Sequence, residues 1–185
     1  MKNIMNQFYG LPLGKVTGMI IIAILLWAGT ERLTDSSRKA KKCWRYMNQA
    51  LCVVAVLLIV RMTLWGRTAG QRTFAWMPFH TLATLSYNDE AIRTLLMNVV
   101  LFLPFGLTLP YVLAKVEADY RRWFYCILIG CMVSIGIELL QYCFALGQAE
   151  TDDVLCNTFG CALGVMADKI GRVKSERMKP KEGEG

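Results

Sequence analysis

Six side chains that hydrocarbon disfavours stand inside or at the ends of the most apolar stretches of this chain: Arg61, Asn98, Glu138, Gln141, Asp153 and Asn157. Each is costly in lipid unless paired or wetted, so an intramembrane ionisable group marks a functional site by default. Carboxylates could exchange protons or hold a hard cation, amides could bond hydroxyls, and a guanidinium could meet an anion. Glu138 is the hardest to explain away. A carboxylate two turns inside a span needs a cation, a proton or water, and Arg61 is the one basic side chain expected at comparable depth. Plainer roles exist for the others. Arg61 could snorkel to the interface, and Asn157 and Gln141 could serve only as hydrogen-bonding glue between helices.

The elements that must position these groups are apolar segments of near-spanning length. The chain has 185 residues, 55% of them hydrophobic, and a formal net charge of +7. Soluble domains carry about 45–50% apolar residues, so this composition points to a membrane protein. Five segments each approach the roughly 20 residues a helix needs to cross hydrocarbon. They run approximately over residues 12–30, 47–65, 94–114, 123–146 and 153–171. The expected fold is therefore all-α, a polytopic transmembrane bundle of about five spans over residues 1–172, with a charged, disordered tail over 173–185. The first segment is read as a retained helix because a basic stretch follows it with no A-x-A cleavage site before that stretch.

Loop charge sets an expected orientation. Arg32, Arg38, Lys39, Lys41, Lys42 and Arg45 follow the first segment, Lys115, Arg121 and Arg122 follow the third, and Lys169, Arg172, Lys174, Arg177, Lys179 and Lys181 close the chain. The positive-inside rule places these three regions in the cytoplasm, with the N-terminus and the 66–93 and 147–152 loops outside a cell membrane. The same Lys and Arg residues sit in short runs between apolar stretches, which suits anionic-lipid contact and excludes a nucleic-acid face. Phe74, Trp76 and Phe79, broken by Pro78, suit an interfacial aromatic belt.

Several chemistries find no support. There is no H-E-x-x-H helix and no G-x-S-x-G elbow, and the single His80 makes a poor metal site, so no metal and no cofactor are expected. The seven cysteines contain no C-x-x-C pair and six of them lie in apolar segments, which predicts free thiols. Five short helices without inverted repeats argue against a transporter.

At 1.5 Å per residue, Arg61 and Asn98 should lie about 6 Å below the outer surface, with Gln141 and Glu138 roughly 8–12 Å deep. Gly130, Ser134, Glu138 and Gln141 form one helical stripe, and Asp153, Asn157, Gly160 and Gly164 form another. Small residues at that spacing let backbones approach, so the last two helices are expected to pack polar face to polar face. Asp152 and Asp153 also open the last helix, where free N–H groups and the positive dipole end favour an acid.

Four ordered motifs resemble the VanZ-like family. They are Pro78, Phe79 and Thr81; Asn98, Leu101, Phe102, Pro104, Phe105, Gly106 and Pro110; Glu138 and Gln141; and Asp152, Asp153, Asn157, Gly160 and Gly164. Together they cover residues 72–164, about half the chain, and their combined order is far more specific than any one of them. The resemblance implies an integral membrane protein linked to resistance against teicoplanin and related lipoglycopeptides. It lends no catalytic residue. The chain departs from the family pattern at Gln148, where an Arg commonly stands, and at Glu150, where Asp is frequent.

Two functions follow. One is an outer-leaflet polar pocket of Arg61, Asn98, Glu138, Gln141, Asp153 and Asn157 that engages an amphiphile, a lipid-linked cell-wall intermediate or the lipoglycopeptide itself. The other is an intramembrane enzyme in which Glu138 works with Asp152 or Asp153 on a lipid or cell-wall precursor.

Overall fold

The computed structural model describes residues 37–65, 73–75, 89–116 and 119–177. Within them are four helices, α1 (Arg38–Thr63), α2 (Asp89–Val112), α3 (Asp119–Cys143) and α4 (Thr151–Arg177), and two short strands, β1 (Thr73–Ala75) and β2 (Gln148–Glu150). The expectation of an all-helical fold is met. The segment 12–30 read as a first span, the stretch 76–88 with His80, and residues 178–185 lie outside the described residues.

Three helical segments, Arg38–Thr63, Arg93–Val112 and Asp119–Cys143, are long and apolar enough to cross a membrane. The fourth helix, α4, is not among them, because acids occupy its first turn and Asp168 and Lys169 interrupt its second half. A helix that satisfies such groups against its neighbours tolerates the lower hydropathy.

Each helix has a local reason to form. Ser37 caps α1 in an extended conformation, its hydroxyl accepting from the Ala40 N–H at 3.1 Å. Cap bonds of this kind satisfy one of the helix's orphan donors. Along α1 the buried residues Asn48, Cys52, Ala55, Ile59 and Thr63 recur every three or four positions, while Val53, Leu57 and Leu58 on the other faces stay exposed. That is the pattern of a helix with one face on protein and the rest on lipid. Pro104 and Pro110 both lie inside α2 without ending it. The Thr108 hydroxyl donates to the Pro104 carbonyl at 2.8 Å.

The core forms where Phe102 and Phe105 of α2 meet Ile59 of α1, Cys126 of α3, and Cys161 and Val165 of α4. Phe102 and Phe105 stand edge to face, centroids 6.2 Å apart, an arrangement that suits the ring quadrupole. Glycines decide how closely α2 and α4 approach. A Cβ on Gly106 would collide with the Cys161 backbone, one on Gly160 with the Val99 backbone, and one on Gly164 with Leu103 and Leu107. Small residues let helix backbones touch, replacing the hydrophobic drive that lipid does not supply. The expected α3–α4 seam is thus corrected in part: Gly160 and Gly164 admit α2, and it is Gly130 of α3 that leaves room for the Cys161 side chain. All seven cysteines are free thiols.

Candidate functional site

The chain alternates direction from helix to helix, so the end of α1, the start of α2, the end of α3 and the start of α4 share one end of the bundle. Hydrogen bonds join all four there. The Gln141 amide of α3 donates to the Thr63 carbonyl of α1 at 3.1 Å. Asn98 of α2 donates to Asp153 Oδ1 of α4 at 2.6 Å, and Asn157 of α4 donates to Ser134 Oγ of α3 at 2.9 Å. Carboxylate acceptors make such bonds short and strong.

Glu138 is seated by a turn rather than by its own helix. After α3, Ala145 adopts φ 53°. The Ala145 N–H then returns to the Tyr142 carbonyl and the Leu146 N–H to the Gln141 carbonyl, at 3.2 and 2.8 Å. This pair of bonds is the Schellman arrangement that stops a helix, here without the usual glycine. The reversed chain becomes β2, which pairs in parallel with β1, Thr73 opposite Gln148 and Ala75 opposite Glu150. Glu138 Oε2 accepts the Glu150 N–H at 3.0 Å. A carboxylate from α3 therefore lies at the N-terminal end of α4, where free N–H groups and the helix dipole stabilise negative charge. The pairing also brings β1 to this end of the bundle.

Of the residues singled out by sequence, Glu138, Gln141, Asp152 and Asn157 are buried, and Asn98 and Asp153 are half-buried and bonded to each other. Arg61 differs. It lies on the exposed surface of α1, its guanidinium 5.6 Å from the Trp65 ring centroid in a cation–π arrangement. Two groups lay beyond sequence reasoning, the Thr63 main-chain carbonyl and the β1–β2 pairing. Neither has a side-chain signature.

Acceptors dominate this end. Besides the carboxylates, Gln141 Oε1 and Asn157 Oδ1 are buried with no hydrogen-bond partner among the described residues. Such oxygens call for a donor, because burial without one forfeits their solvation. Among the described residues no group of three or more His, Cys, Asp and Glu side chains could hold a metal ion. What the arrangement can do is receive hydroxyl or amino donors and hold one or two protons or positive charges.

Comparison with known proteins agrees with this reading of the motifs. The sequence model of VanZ/LLP1 matches residues 47–171, which span α1 from its middle to most of α4. The chain belongs to the VanZ/LLP1 family. A curated relative, Protein VanZ of Enterococcus faecium, is 30% identical over 117 residues, covering 57% of this chain and 68% of the relative. No solved structure matches. The VanZ/LLP1 match includes every helix that contributes to the polar end, so the Asn98, Glu138, Gln141, Asp153 and Asn157 contacts all lie inside the family region.

Proposed function

We propose that this VanZ/LLP1 protein is a five-span protein of the cell membrane that places its polar end in the outer leaflet, with its N-terminus outside and its C-terminus in the cytoplasm. There the end binds the polar part of an amphiphile, a lipid-linked wall intermediate or a lipoglycopeptide, and so lowers susceptibility to teicoplanin-type drugs. The observation that carries the reading is the Asn98–Asp153 bond beside Glu138, which gathers carboxylates and amides from separate helices where hydrocarbon would disfavour each alone. The basic loops support the orientation. Buried amide oxygens in need of donors favour a ligand rich in hydroxyl or amino groups. Arg61, exposed at the same end, is placed to meet an anionic part of such a ligand.

Glu138→Gln and Asp153→Asn keep shape and remove charge. Each should return a tolerant host to teicoplanin sensitivity while protein abundance in the membrane stays unchanged, and the double variant should be no more sensitive than either single one. Full tolerance in both variants would remove the carboxylates from the function. A fall in abundance instead would make them folding residues.

A further inference from the structure

A second polar cluster sits at the opposite end of the bundle, where the start of α1, the end of α2, the start of α3 and the end of α4 meet. Its centre is Asp168, fully buried, whose two oxygens accept from Arg172 Nε at 3.0 and 2.9 Å. The Arg172 guanidinium lies 4.6 Å from the Tyr111 ring centroid. Tyr111 in turn ties α2 to α1, its hydroxyl accepting from Trp44 Nε1 at 3.3 Å and its carbonyl from Gln49 Nε2 at 3.1 Å. Arg122, only 8% exposed, reaches Asp119 through Nη2 and feels both the repulsion of Arg172 and the attraction of Asp168. Lys169, exposed beside Asp168, holds its ammonium 4.4 Å from the Trp123 ring centroid.

Positive charge exceeds negative charge in this group. Arg122, Lys169 and Arg172 contribute three cations against Asp168 and Asp119, and the Asp119 side chain is 60% exposed, so water screens its share. Hydrogen-bond donors are also in surplus. Arg122 Nε and Trp123 Nε1, adjacent along α3, are buried without a partner among the described residues. Two buried donors left over, beside three cations and two aromatic rings at the rim of a helical bundle, describe a place that, among the described residues, lacks an acceptor-rich anion.

We propose that the side chains where the start of α3 meets the end of α4 bind a phosphate group, with Lys169 and Arg172 outermost, Arg122 behind them and the Trp123 indole N–H as a further donor. A phosphate supplies several acceptor oxygens and at least one negative charge, which offsets the mutual repulsion of Arg122 and Arg172. A phospholipid headgroup and free inorganic phosphate share this chemistry. The site is separate from the Glu138–Asp153 end and does not depend on what that end binds.

The test uses the full chain in detergent, offered equal amounts of phosphatidic acid and phosphatidylcholine, with retained lipid counted by native mass spectrometry, and in a parallel arm phosphatidylcholine with millimolar inorganic phosphate. The wild type should retain phosphatidic acid in preference to phosphatidylcholine. Lys169→Gln should cut that preference about fivefold, the worth of one basic side chain near an anionic headgroup, and Arg121→Gln should leave it unchanged. Arg121 is exposed one residue before Arg122 and engages Tyr120, so its replacement loses the same charge outside the proposed site. Equal retention of the two lipids, with inorganic phosphate retained in the parallel arm by the wild type but not by Lys169→Gln, would keep the phosphate site and name free phosphate as its occupant. Equal retention of the two lipids with no retained phosphate, or equal losses in the Lys169 and Arg121 variants, would overturn it. Since Lys169 is exposed and its ammonium rests over the Trp123 ring, an unchanged unfolding midpoint in Lys169→Gln separates loss of the site from loss of fold.

Discussion

The two ends of this bundle solve the problem of polar groups among apolar helices in different ways. At the Glu138 end the side chains are short or middling, Asn98, Ser134, Gln141, Asp153 and Asn157, and each bonds across one helix interface. At the Asp168 end the side chains are long and charged. Arg172 packs on Tyr111, Lys169 on Trp123, and Asp168 sits between cations with no exposure at all. Among the described residues, the Glu138 end holds acceptors that still need donors, whereas the Asp168 end holds donors that still need acceptors. Short amides and carboxylates suit recognition of a varied headgroup, and a buried acid between arginines suits a fixed joint with a charged rim.

The sharpest way to break that contrast is to neutralise one acid at each end. Asp168→Asn should cost about 3 kcal/mol of stability, the lower part of the range for breaking a buried ion pair, since Arg172 retains some access to solvent. Glu138→Gln should cost about 1 kcal/mol or less, because the amide oxygen can still accept the Glu150 N–H. Reversible unfolding in mixed detergent micelles measures both. If Glu138→Gln proves the costlier change, the joint and the recognition end have been assigned the wrong way round.

Gly160→Ala addresses the seam that holds the two ends in register. Its Cβ would meet the Val99 backbone, which no rotamer change can relieve, so α2 and α4 must separate. A loss of about 1–3 kcal/mol is expected, the usual cost of overpacking. With it should go the proposed teicoplanin tolerance, because Asn98 and Asp153 sit on the two helices that part. Gly136→Ala serves as the control, for nothing lies within 4 Å of its Cβ position. An equal gain in stability from both would mean that helix propensity, not the seam, is being measured.

The smallest effect is expected at the turn that delivers β2. Ala145 holds a left-handed conformation that costs an L-residue roughly 1–2 kcal/mol. Ala145→Gly should raise the unfolding midpoint slightly without changing tolerance, since the Glu138–Glu150 bond is kept. A fall in the midpoint would show that unfolded-state entropy outweighs the relief of strain.

Much of the molecule was legible from residue order alone. Apolar length marked the stretches that became α1, α2 and α3, and the local motifs named the side chains that meet at the Glu138 end, because residues three and four apart must share a helix face. The family, too, was legible in four short motifs. The sequence reading treated Arg122 and Arg172 only as topology charges and did not single out Asp168. Its spacing of four from Arg172 was the available signal, and that spacing is common enough on exposed helices to pass for surface charge.

Tertiary structure alone decided which helix each stripe faces. Gly160 and Gly164 could serve α3 or α2 equally well by spacing, and only the crossing of the helices assigns them to α2. It alone joined β1 to β2 across more than seventy residues, placing a backbone N–H in front of Glu138. It also set Arg61 on an exposed face beside Trp65. The physical reason is the same in each case: periodicity fixes direction around one helix axis, while partners depend on how separate axes pack, and main-chain donors and acceptors carry no residue type to betray them.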